Sequence, residues 1–307
     1  MPDEDWGQYP PASHLLVHLS DTHFLGAERP LYGAVDTDTT VHRALEQLER
    51  SGLRPDAIVL TGDIADRGEA DAYRRVRDLV EAAADRLGTR AIWVMGNHDE
   101  RAAFRTELLR EQGSEQGSEQ GATRPVDAVF DIRGLRIIVL DTSVPGYHHG
   151  EVTDEQLAWL AGVLAEPAPH GSLLALHHPP LPTPTALMSI LELREQPRLA
   201  QVIAGGDIRS ILGGHMHSAT TGMFAGIPVS VAAATCYTLD PSAPRRELSG
   251  VDGGQSFNLV RVYGDQVVHS HVPVGGYDVV TRFDAAFLDR FAHLTPEERT
   301  EAFSRHA

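Results

Sequence analysis

Short polar blocks follow apolar runs at five places in this chain, and their order constrains the fold more than any other feature. The blocks are Asp21-Thr22-His23, Gly62-Asp63-x-x-Asp66, Gly96-Asn97-His98-Asp99, His177-His178 and Gly213-Gly214-His215-Met216-His217. The apolar runs before them have the length and composition of buried strands. Because the C-terminal ends of parallel strands meet at one edge of a sheet, we expect all five blocks to lie close together.

The segments between the first three blocks alternate between strand and helix patterns. Strands are predicted at 14–20, 57–61 and 91–95, and helices between them at 36–51 and 69–87. Either Asp36 or Asp38 is expected to cap the first of these helices. A β-α-β-α-β run with apolar strands is typical of a largely parallel sheet that is covered by helices. This half of the chain therefore predicts an α/β fold.

The second half adds a different pattern. A hairpin is predicted around Arg133-Gly134, and a capping box at Thr153 opens a helix that runs to about Ala165. From Thr220 to Val272 the pattern is mostly strands and turns, which we expect to form a second sheet. Two sheets with helices outside make an α/β sandwich with mixed, largely parallel sheets.

One metal-binding domain is expected over residues 14–275, followed by a short helical C-terminal tail at 276–307. The tail pattern predicts two short helices within 284–304, whose phenylalanines we expect to pack on the domain's own surface, with a dimer or membrane contact as alternatives. Residues 111–121 read EQGSEQGSEQG, and this repeat is predicted to be a mobile loop because it has no apolar residue to bury.

The overall charge of the chain restricts its partners. The formal net charge is −17, so a nucleic-acid partner is not expected, because binding phosphates requires basic residues. No run of about eighteen apolar residues exists, which predicts that nothing spans a membrane. Cys236 is the only cysteine, which suits a reducing compartment. With no signal-peptide pattern, we expect a cytoplasmic protein, with peripheral membrane contact as an alternative.

The first three blocks offer ligands for divalent metal ions. Asp21 and His23 are two residues apart after a strand, so in extended geometry both point to one side, aimed at one ion. Asp63 follows the second strand, where a carboxylate can bridge two ions. Asn97 offers a neutral amide oxygen, which adds a ligand without adding negative charge. Two ions that share a carboxylate are suited to the attack of a metal-bound hydroxide on a phosphorus ester.

The histidine blocks supply further ligands. His177 directly ends a strand and is expected to be a ligand, whereas its neighbour His178 is expected to lie behind the ligands. His215 and His217 are again two residues apart after a strand. Each pattern alone is weak, because isolated histidines are common on protein surfaces. The ordered set of blocks predicts a dinuclear metal phosphoesterase.

Three further side chains are assigned by their position. His98 and Asn97 are expected to contact the substrate, and His98 is expected to stabilise charge or to protonate the leaving oxygen. Asp66 is counted with His98 in the catalytic set; it is expected to orient a ligand or cap a helix, with direct approach to the first metal as an even alternative. His149, in the loop at 147–149, is expected to line the substrate pocket.

The five blocks together resemble a known family. The set DxH, GDxxD, GNHD, HH and GHxH is similar to the motifs of the calcineurin-like metallophosphoesterase superfamily. The stretches GLRPDAIVLTGDIADRGE, VMGNHD, LHHPPLP and GIPVSVAAATCYT resemble the actinobacterial class III cyclic nucleotide phosphodiesterases. The resemblance implies a four-layer αββα sandwich, commonly a homodimer, with two metal ions drawn from Mn, Fe and Zn. It implies hydrolysis of 3′,5′-cyclic AMP to AMP, with breadth towards other phosphodiesters.

The resemblance also implies a role for each matching residue. One metal ion would be held by Asp21, His23, Asp63 and His217. The other would be held by Asp63, Asn97, His177 and His215. His98 would contact the phosphate and assist the leaving group while a hydroxide that bridges the two metals attacks in line.

Two other functions fit the same pattern. The first is the same chemistry on 2′,3′-cyclic nucleotides, glycerophosphodiesters or nucleotide-linked lipids, because substrate choice depends on loops near 24–35, 143–152 and 180–195. The second is a regulatory protein that acts by binding, with incidental catalysis. The complete set of metal ligands argues against a purely non-catalytic role.

Overall fold

The structure is a computed structural model and describes residues 6–111, 124–183, 185–244 and 246–305. The strands in these ranges are β1 (His14–Leu19), β2 (Ala57–Thr61), β3 (Ala91–Val94), β4 (Ala128–Ile132), β5 (Leu135–Val139), β6 (Ser172–Ala175), β7 (Ile208–Gly213), β8 (Thr220–Phe224), β9 (Ile227–Val231), β10 (Thr238–Leu239), β11 (Gly250–Val251), β12 (Ser256–Val262) and β13 (Val267–Pro273). The helices are α1 (Thr37–Ser51), α2 (Ala70–Leu87), α3 (Arg101–Glu107), α4 (Asp154–Val163), α5 (Gln196–Ile203), α6 (Ala285–Ala292) and α7 (Pro296–Arg299). The predicted loop at 111–121 lies, apart from Glu111, outside the described residues.

The longer strands form two mixed sheets, as the α/β prediction requires. The first sheet has the order β13-β12-β1-β2-β3, in which β1, β2 and β3 pair in parallel and β12 pairs antiparallel with β1. The second has the order β4-β5-β6-β7-β9-β8, parallel from β5 to β9 and antiparallel at both edges.

The predicted grouping of the late strands is wrong. The strands between Thr220 and Val272 do not form one sheet: β8 and β9 extend the second sheet, β12 and β13 extend the first, and β10 and β11 pair with each other. The physical reason is that β1 would otherwise present an open edge of unpaired backbone groups, which β12 closes. Sequence order alone does not reveal which edge a late strand will close.

Apolar side chains fill three layers and so produce a four-layer sandwich. Between the sheets, Leu16 of β1 and Leu212 of β7 belong to one buried cluster. Behind the first sheet, α1 and α2 bury their apolar faces, with Val76 fully buried. Behind the second sheet, α4 and α5 contribute Leu160 and Leu199. Each fully buried aliphatic side chain contributes about 1.5–3 kcal/mol, so these layers hold the two sheets in fixed positions.

Two helix starts agree with the sequence prediction. Asp36 accepts a hydrogen bond of 3.0 Å from the backbone N–H of Thr39 and so caps α1. At α4, Thr153 Oγ1 accepts from the Gln156 N–H at 3.2 Å, and Gln156 Oε1 accepts from the Thr153 N–H at 3.1 Å. Both bonds of the predicted capping box are therefore present.

The C-terminal tail forms the two predicted short helices, α6 and α7. Their phenylalanine rings pack on one another: the centroids of Phe287 and Phe291 are 4.9 Å apart, and that of Phe303 is 5.7 Å from Phe291. No residue of α6 is buried, so these rings do not enter the core of the sandwich. Within the described residues, no helix has the length and apolar character needed to cross a membrane.

Candidate metal centre

The five blocks meet at one edge of the sandwich, where strands of both sheets end. The loops after β1, β2 and β3 come from the first sheet, and the loops after β6 and β7 come from the second. His177 Nε2 lies 3.3 Å from Asp63 Oδ2, and His217 Nε2 lies 3.4 Å from Asp21 Oδ1. Both contacts join one sheet to the other, so the site is built across the sandwich.

Asp63 lies at the centre of this site, with its residue surface 2% exposed. Its Oδ2 atom is 3.4 Å from His23 Nε2 and 3.3 Å from His177 Nε2. Its Oδ1 atom accepts a hydrogen bond of 2.8 Å from the backbone N–H of His98. Burial raises the pKa of this carboxyl group, but His177 and His23 outweigh burial and hold the pKa well below its usual range. The carboxylate is therefore ionised and is shared between two groups of potential ligands.

The first group of potential ligands gathers around Asp21 and Asp63. Asp21, His23, Asp63 and His217 each offer an atom within 4.8 Å of the others. His23 Nε2 is buried and has no hydrogen-bond partner within the described part of the chain, which is unusual for a buried polar atom. Acting against burial, Cys236 and Asp21 raise the pKa of His217 to about 10. The negative charge around His217 thus favours positive charge at this place.

The second group gathers on the other side of Asp63. His177, His178 and His215 form a further cluster of ring nitrogens within 4.8 Å. Asn97 joins it through its amide oxygen, since Oδ1 lies 3.0 Å from His177 Nε2. This group has no carboxylate of its own among these four side chains, so Asp63 supplies its negative charge.

His178 belongs to the second cluster by distance, but both of its ring nitrogens have partners. Its Nδ1 lies 2.8 Å from Thr142 Oγ1, and its Nε2 lies 3.2 Å from the backbone carbonyl oxygen of His148. A carbonyl oxygen can only accept, so Nε2 carries the one proton of the neutral ring and donates it, and Nδ1 accepts from the threonine hydroxyl. These contacts agree with the expectation that His178 lies behind the ligands.

The other four histidines of the two groups each have one nitrogen held by the protein, which leaves the second nitrogen for the centre of the site. An acceptor on the far ring nitrogen fixes the tautomer and the orientation of a metal-binding histidine. The held pairs are His23 Nδ1 with Asp66 Oδ1 at 3.0 Å, His177 Nδ1 with Thr61 O at 2.7 Å, His215 Nε2 with Leu191 O at 3.0 Å, and His217 Nδ1 with Tyr237 O at 3.0 Å.

Asp66 and His98 lie beside the first group. Asp66 Oδ1 holds His23, and the backbone carbonyl of Asp66 accepts a hydrogen bond of 2.9 Å from His98 Nδ1. Asp66 does not cap α2, whose N-cap residue is Glu69. His98 is half-buried, and its ring centroid lies 4.8 Å from that of His23.

The loop at 147–149 reaches the site, but through a different residue from the one expected. His148 Nδ1 lies 2.9 Å from Asn97 Nδ2, and its ring centroid is 4.9 Å from that of His98. His149 instead turns its Nε2 towards Glu151 Oε1, at 3.1 Å. Adjacent residues of a loop point in different directions, and the sequence carried no signal to choose between them. That His149 lines the substrate pocket stays a prediction from the sequence.

Asp99 is a further residue whose role the sequence did not indicate. Its carboxylate accepts hydrogen bonds from the backbone N–H groups of Ile64 (3.1 Å), Ala65 (3.1 Å) and Gly96 (2.9 Å) and from the hydroxyl of Tyr73 (2.9 Å). It therefore ties the loop after β2 to the loop after β3. Burial raises the pKa of Asp99 to about 7. The turn pattern Gly-Asn-His-Asp predicted a bend but not this link.

The backbone at the site is held in an uncommon conformation. Non-glycine residues with positive φ include five members of the two groups, namely Asp21 (52°), His23 (45°), Asp63 (51°), His215 (67°) and His217 (51°). Left-handed backbone at non-glycine residues costs free energy and clusters at functional sites. Two glycines allow neighbouring loops to approach closely at the site. A Cβ atom at Gly96 would collide with Asp63, and one at Gly214 would collide with Ser20.

The chain is similar to known proteins in sequence and in fold. The calcineurin-like phosphoesterase family matches residues 14–219. A cAMP/cGMP dual specificity phosphodiesterase of Mycobacterium tuberculosis is 54% identical over 276 residues, which cover 90% of this chain and 84% of that protein. A probable cyclic nucleotide phosphodiesterase of Rhodococcus erythropolis is 50% identical, covering 89% and 88%.

Solved structures agree in fold. The crystal structure of a dimetal phosphatase from Danio rerio superposes with a TM-score of 0.61 at 18% identity, covering 86% of this chain and 97% of that one. At this identity the likeness concerns the fold alone. The motifs, the sandwich and the match over residues 14–219 lead to one conclusion: the chain belongs to the calcineurin-like phosphoesterase family.

Proposed function

We propose that this protein is a dinuclear metal-dependent phosphodiesterase that hydrolyses 3′,5′-cyclic AMP, and other cyclic nucleotides, to the monoester. The observation that carries the proposal is the position of Asp63. A single oxygen of its carboxylate, Oδ2, contacts ring nitrogens of both ligand groups. A carboxylate shared in this way is suited to hold two ions a few ångströms apart. The names of the two relatives that are at least 50% identical support the cyclic nucleotide as the substrate.

The side chains fit two metal ions by their chemistry. One ion would be held by Asp21, His23, Asp63 and His217. The other would be held by Asp63, Asn97, His177 and His215. His23 Nε2 faces the carboxylates of Asp21 and Asp63 without a hydrogen bond to any described residue, and every histidine of the set has an outward hydrogen bond; both observations support this assignment. Mixed carboxylate, amide and imidazole ligands suit Mn, Fe and Zn alike.

The charge of the site supports the same assignment. Acting against burial, Asp63 raises the pKa of His177 to about 9, and Asp21 contributes to the raised pKa of His217. Carboxylates that favour protonated histidines also favour a metal cation in the place of those protons. When bound, the two ions would activate a water molecule as nucleophile and neutralise charge on the phosphoryl group.

The residues of the chain have separate tasks in this reaction. His98 would face the phosphodiester with Nε2, while its Nδ1–H stays bonded to the carbonyl of Asp66. In its protonated form, Nε2 would donate to a phosphoryl oxygen and then pass its proton to the ribose oxygen that leaves. Asp66 would keep His23 and His98 in register with each other through its side chain and its backbone.

The proposal is tested by kcat/KM of the Mn-loaded protein on 3′,5′-cyclic AMP, 2′,3′-cyclic AMP, bis-p-nitrophenyl phosphate and glycerophosphocholine. We expect the 3′,5′ value to equal or exceed the others. A 3′,5′ value far below the others would move the substrate to another phosphodiester and leave the metal chemistry in place. No turnover of any of these diesters would reject the proposal that the protein is a phosphodiesterase.

Dimerisation and a cytoplasmic location stay predictions from the sequence.

A further inference from the structure

The amide of Asn97 has two ends of similar size and opposite hydrogen-bonding character. Its Oδ1 atom lies 3.0 Å from His177 Nε2, on the side of the ligand groups, and its Nδ2 atom lies 2.9 Å from His148 Nδ1, on the outer side. Only the oxygen can bind a metal ion, whereas the NH₂ group can only donate. A half-turn about the last side-chain bond would exchange the two ends, so a neighbour must decide which end faces inwards.

We propose that His148 is a positioning residue that fixes the amide of Asn97 with its oxygen towards the metal centre. Because Nδ2 of Asn97 can only donate, Nδ1 of His148 must accept, and a neutral imidazole then carries its proton on Nε2. A flipped amide would place a carbonyl oxygen against the Nδ1 lone pair and NH₂ against the ion. The inference rests on the proposed function, since it takes Asn97 as a metal ligand.

The loop that carries His148 is anchored at its base. The backbone carbonyl of His148 accepts a hydrogen bond of 3.2 Å from His178 Nε2, and His178 Nδ1 accepts one of 2.8 Å from Thr142 Oγ1. Gly150 allows the loop to lie against the His178 ring, because a Cβ atom there would approach His178 Cγ to 2.6 Å. Hydrogen bonds thus link Thr142 to His178 and His178 to the backbone of His148, whose side chain contacts the amide of Asn97. In this arrangement His178 positions the loop that carries His148.

An alternative role for His148 is direct contact with the substrate through Nε2, since the residue is exposed and its ring lies 4.9 Å from that of His98. Different substitutions separate the two roles. The side-chain oxygen of Asn falls near the position of the Nδ1 atom of His, whereas that of Gln falls near Nε2. His148→Asn therefore keeps an acceptor for Asn97, His148→Gln keeps a polar group on the substrate side, and His148→Ala removes both.

The test measures Mn²⁺ binding to the full-length protein after metal removal, by titration calorimetry with metal content as a second readout. We expect His148→Ala to weaken one of the two binding events about 10- to 100-fold, the range found when a group that orients a metal ligand is removed. We expect His148→Asn to restore most of the affinity and His148→Gln to restore little. Tyr147→Ala, which truncates an exposed neighbour in the same loop, should leave both affinities unchanged.

Two results would overturn the inference. One is wild-type affinity for both ions in His148→Ala. The other is an equal loss in the Ala and Asn variants, because an acceptor at the Nδ1 position would then be irrelevant. As a further check, His148→Ala should add no loss to Asn97→Ala, since the residue it acts on is gone. No nucleotide enters these titrations, so a wrong substrate in the proposed function would leave their outcome unaffected.

Discussion

The two halves of the proposed metal centre differ in where their negative charge comes from. The first half contains Asp21 and the shared Asp63, both ionised and almost fully buried. The second half shares Asp63 but otherwise offers neutral ligands, namely Asn97, His177 and His215. An ion with two carboxylates is bound more strongly, whereas an ion with mostly neutral ligands keeps more of its charge for a phosphoryl oxygen. From this difference we expect the ion of the first half to be the more tightly held one and the ion of the second half to polarise the substrate.

The two halves also differ in what holds their ligands. In the first half, His23 is held by the Asp66 side chain and His217 by the carbonyl of Tyr237. In the second half, His215 is held by the carbonyl of Leu191, which ends a short 3-10 helix, and Asn97 is held by the exposed side chain of His148. A side-chain partner can be removed by substitution, whereas a backbone carbonyl cannot. Asp66 and His148 are therefore the partners through which substitutions can alter each half separately.

The largest expected effect comes from Asp63→Asn, which removes the charge common to both halves. We expect both ions to bind more weakly and kcat for cyclic AMP to fall at least about 10³-fold, since several kcal/mol of transition-state stabilisation depend on the metals. Asp78→Asn, at an exposed carboxylate on α2, is the control and should be silent. Steady-state kinetics and metal content measure the effect. Loss of only one ion would show that Asp63 does not bridge the halves.

The next effect comes from Asn97→Ala, which should separate the halves. We expect the first ion to remain bound while affinity for the second falls, with a loss of kcat of about 10²- to 10³-fold. Metal content near one ion per chain, measured together with kcat, would show that Asn97 belongs to one half of the centre only. If the variant keeps both ions at wild-type affinity together with the full rate, Asn97 is not a ligand.

A smaller effect is expected from His98→Ala, which should leave both halves loaded. Turnover of substrates with poor leaving groups should fall about 10²-fold, and turnover of p-nitrophenyl diesters should fall less, because a good leaving group needs no proton. His42→Ala, at an exposed histidine on α1, is the control. Equal losses on both kinds of substrate, measured as kcat/KM, would argue against an acid role.

The smallest effect is a difference in pH dependence between the halves. The pKa of His217 is raised to about 10 and that of His23 well above its usual value, so two protons must leave the first half before metal binds. In the second half the pKa of His177 is raised to about 9, whereas burial lowers that of His215 to about 3, so one proton must leave. Below these raised values, affinity should fall as pH falls, by about tenfold per pH unit for each displaced proton.

Calorimetry between about pH 6 and about pH 8, in buffers of different ionisation enthalpy, measures this difference as the number of protons released. The slope for the first half should be about twice that for the second. Equal slopes would contradict the protonation states that underlie the comparison. The stronger attraction of two carboxylates for an ion is therefore partly offset as the pH falls, because protons compete for the same negative charge.

The position of the site was predictable because it follows from strand direction. Apolar runs identify β1, β2, β3, β6 and β7, and a polar residue just after a parallel strand must lie at the carboxyl edge of its sheet. Asp21 and His23 do serve one place, but not through the extended geometry expected from their spacing, because both have left-handed backbone. Helix starts at Asp36 and Thr153 were predictable for a similar reason, because a cap involves residues only three apart.

Features that depend on distant parts of the chain were not predictable. The pairing of β12 with β1 joins residues far apart in sequence, and periodicity contains no information about such a partner. The choice of His148 over His149 depends on the path of one loop, which hydrogen bonds to His178 decide. The orientation of the Asn97 amide is likewise a property of its neighbours. Short-range patterns thus located the chemistry, whereas long-range contacts decided which atoms face it.

The layer between the sheets has a consequence for activity far from the ligands. Asp63 belongs to one sheet and His177 to the other, so the distance between their facing atoms is set by the thickness of the packing beneath them. Leu16 and Leu212 are part of that layer. Their size therefore helps to set the distance between the metal-ligand loops of the two sheets. Enlarging or shrinking such a side chain would appear in an assay as a catalytic defect, although neither residue touches the reaction.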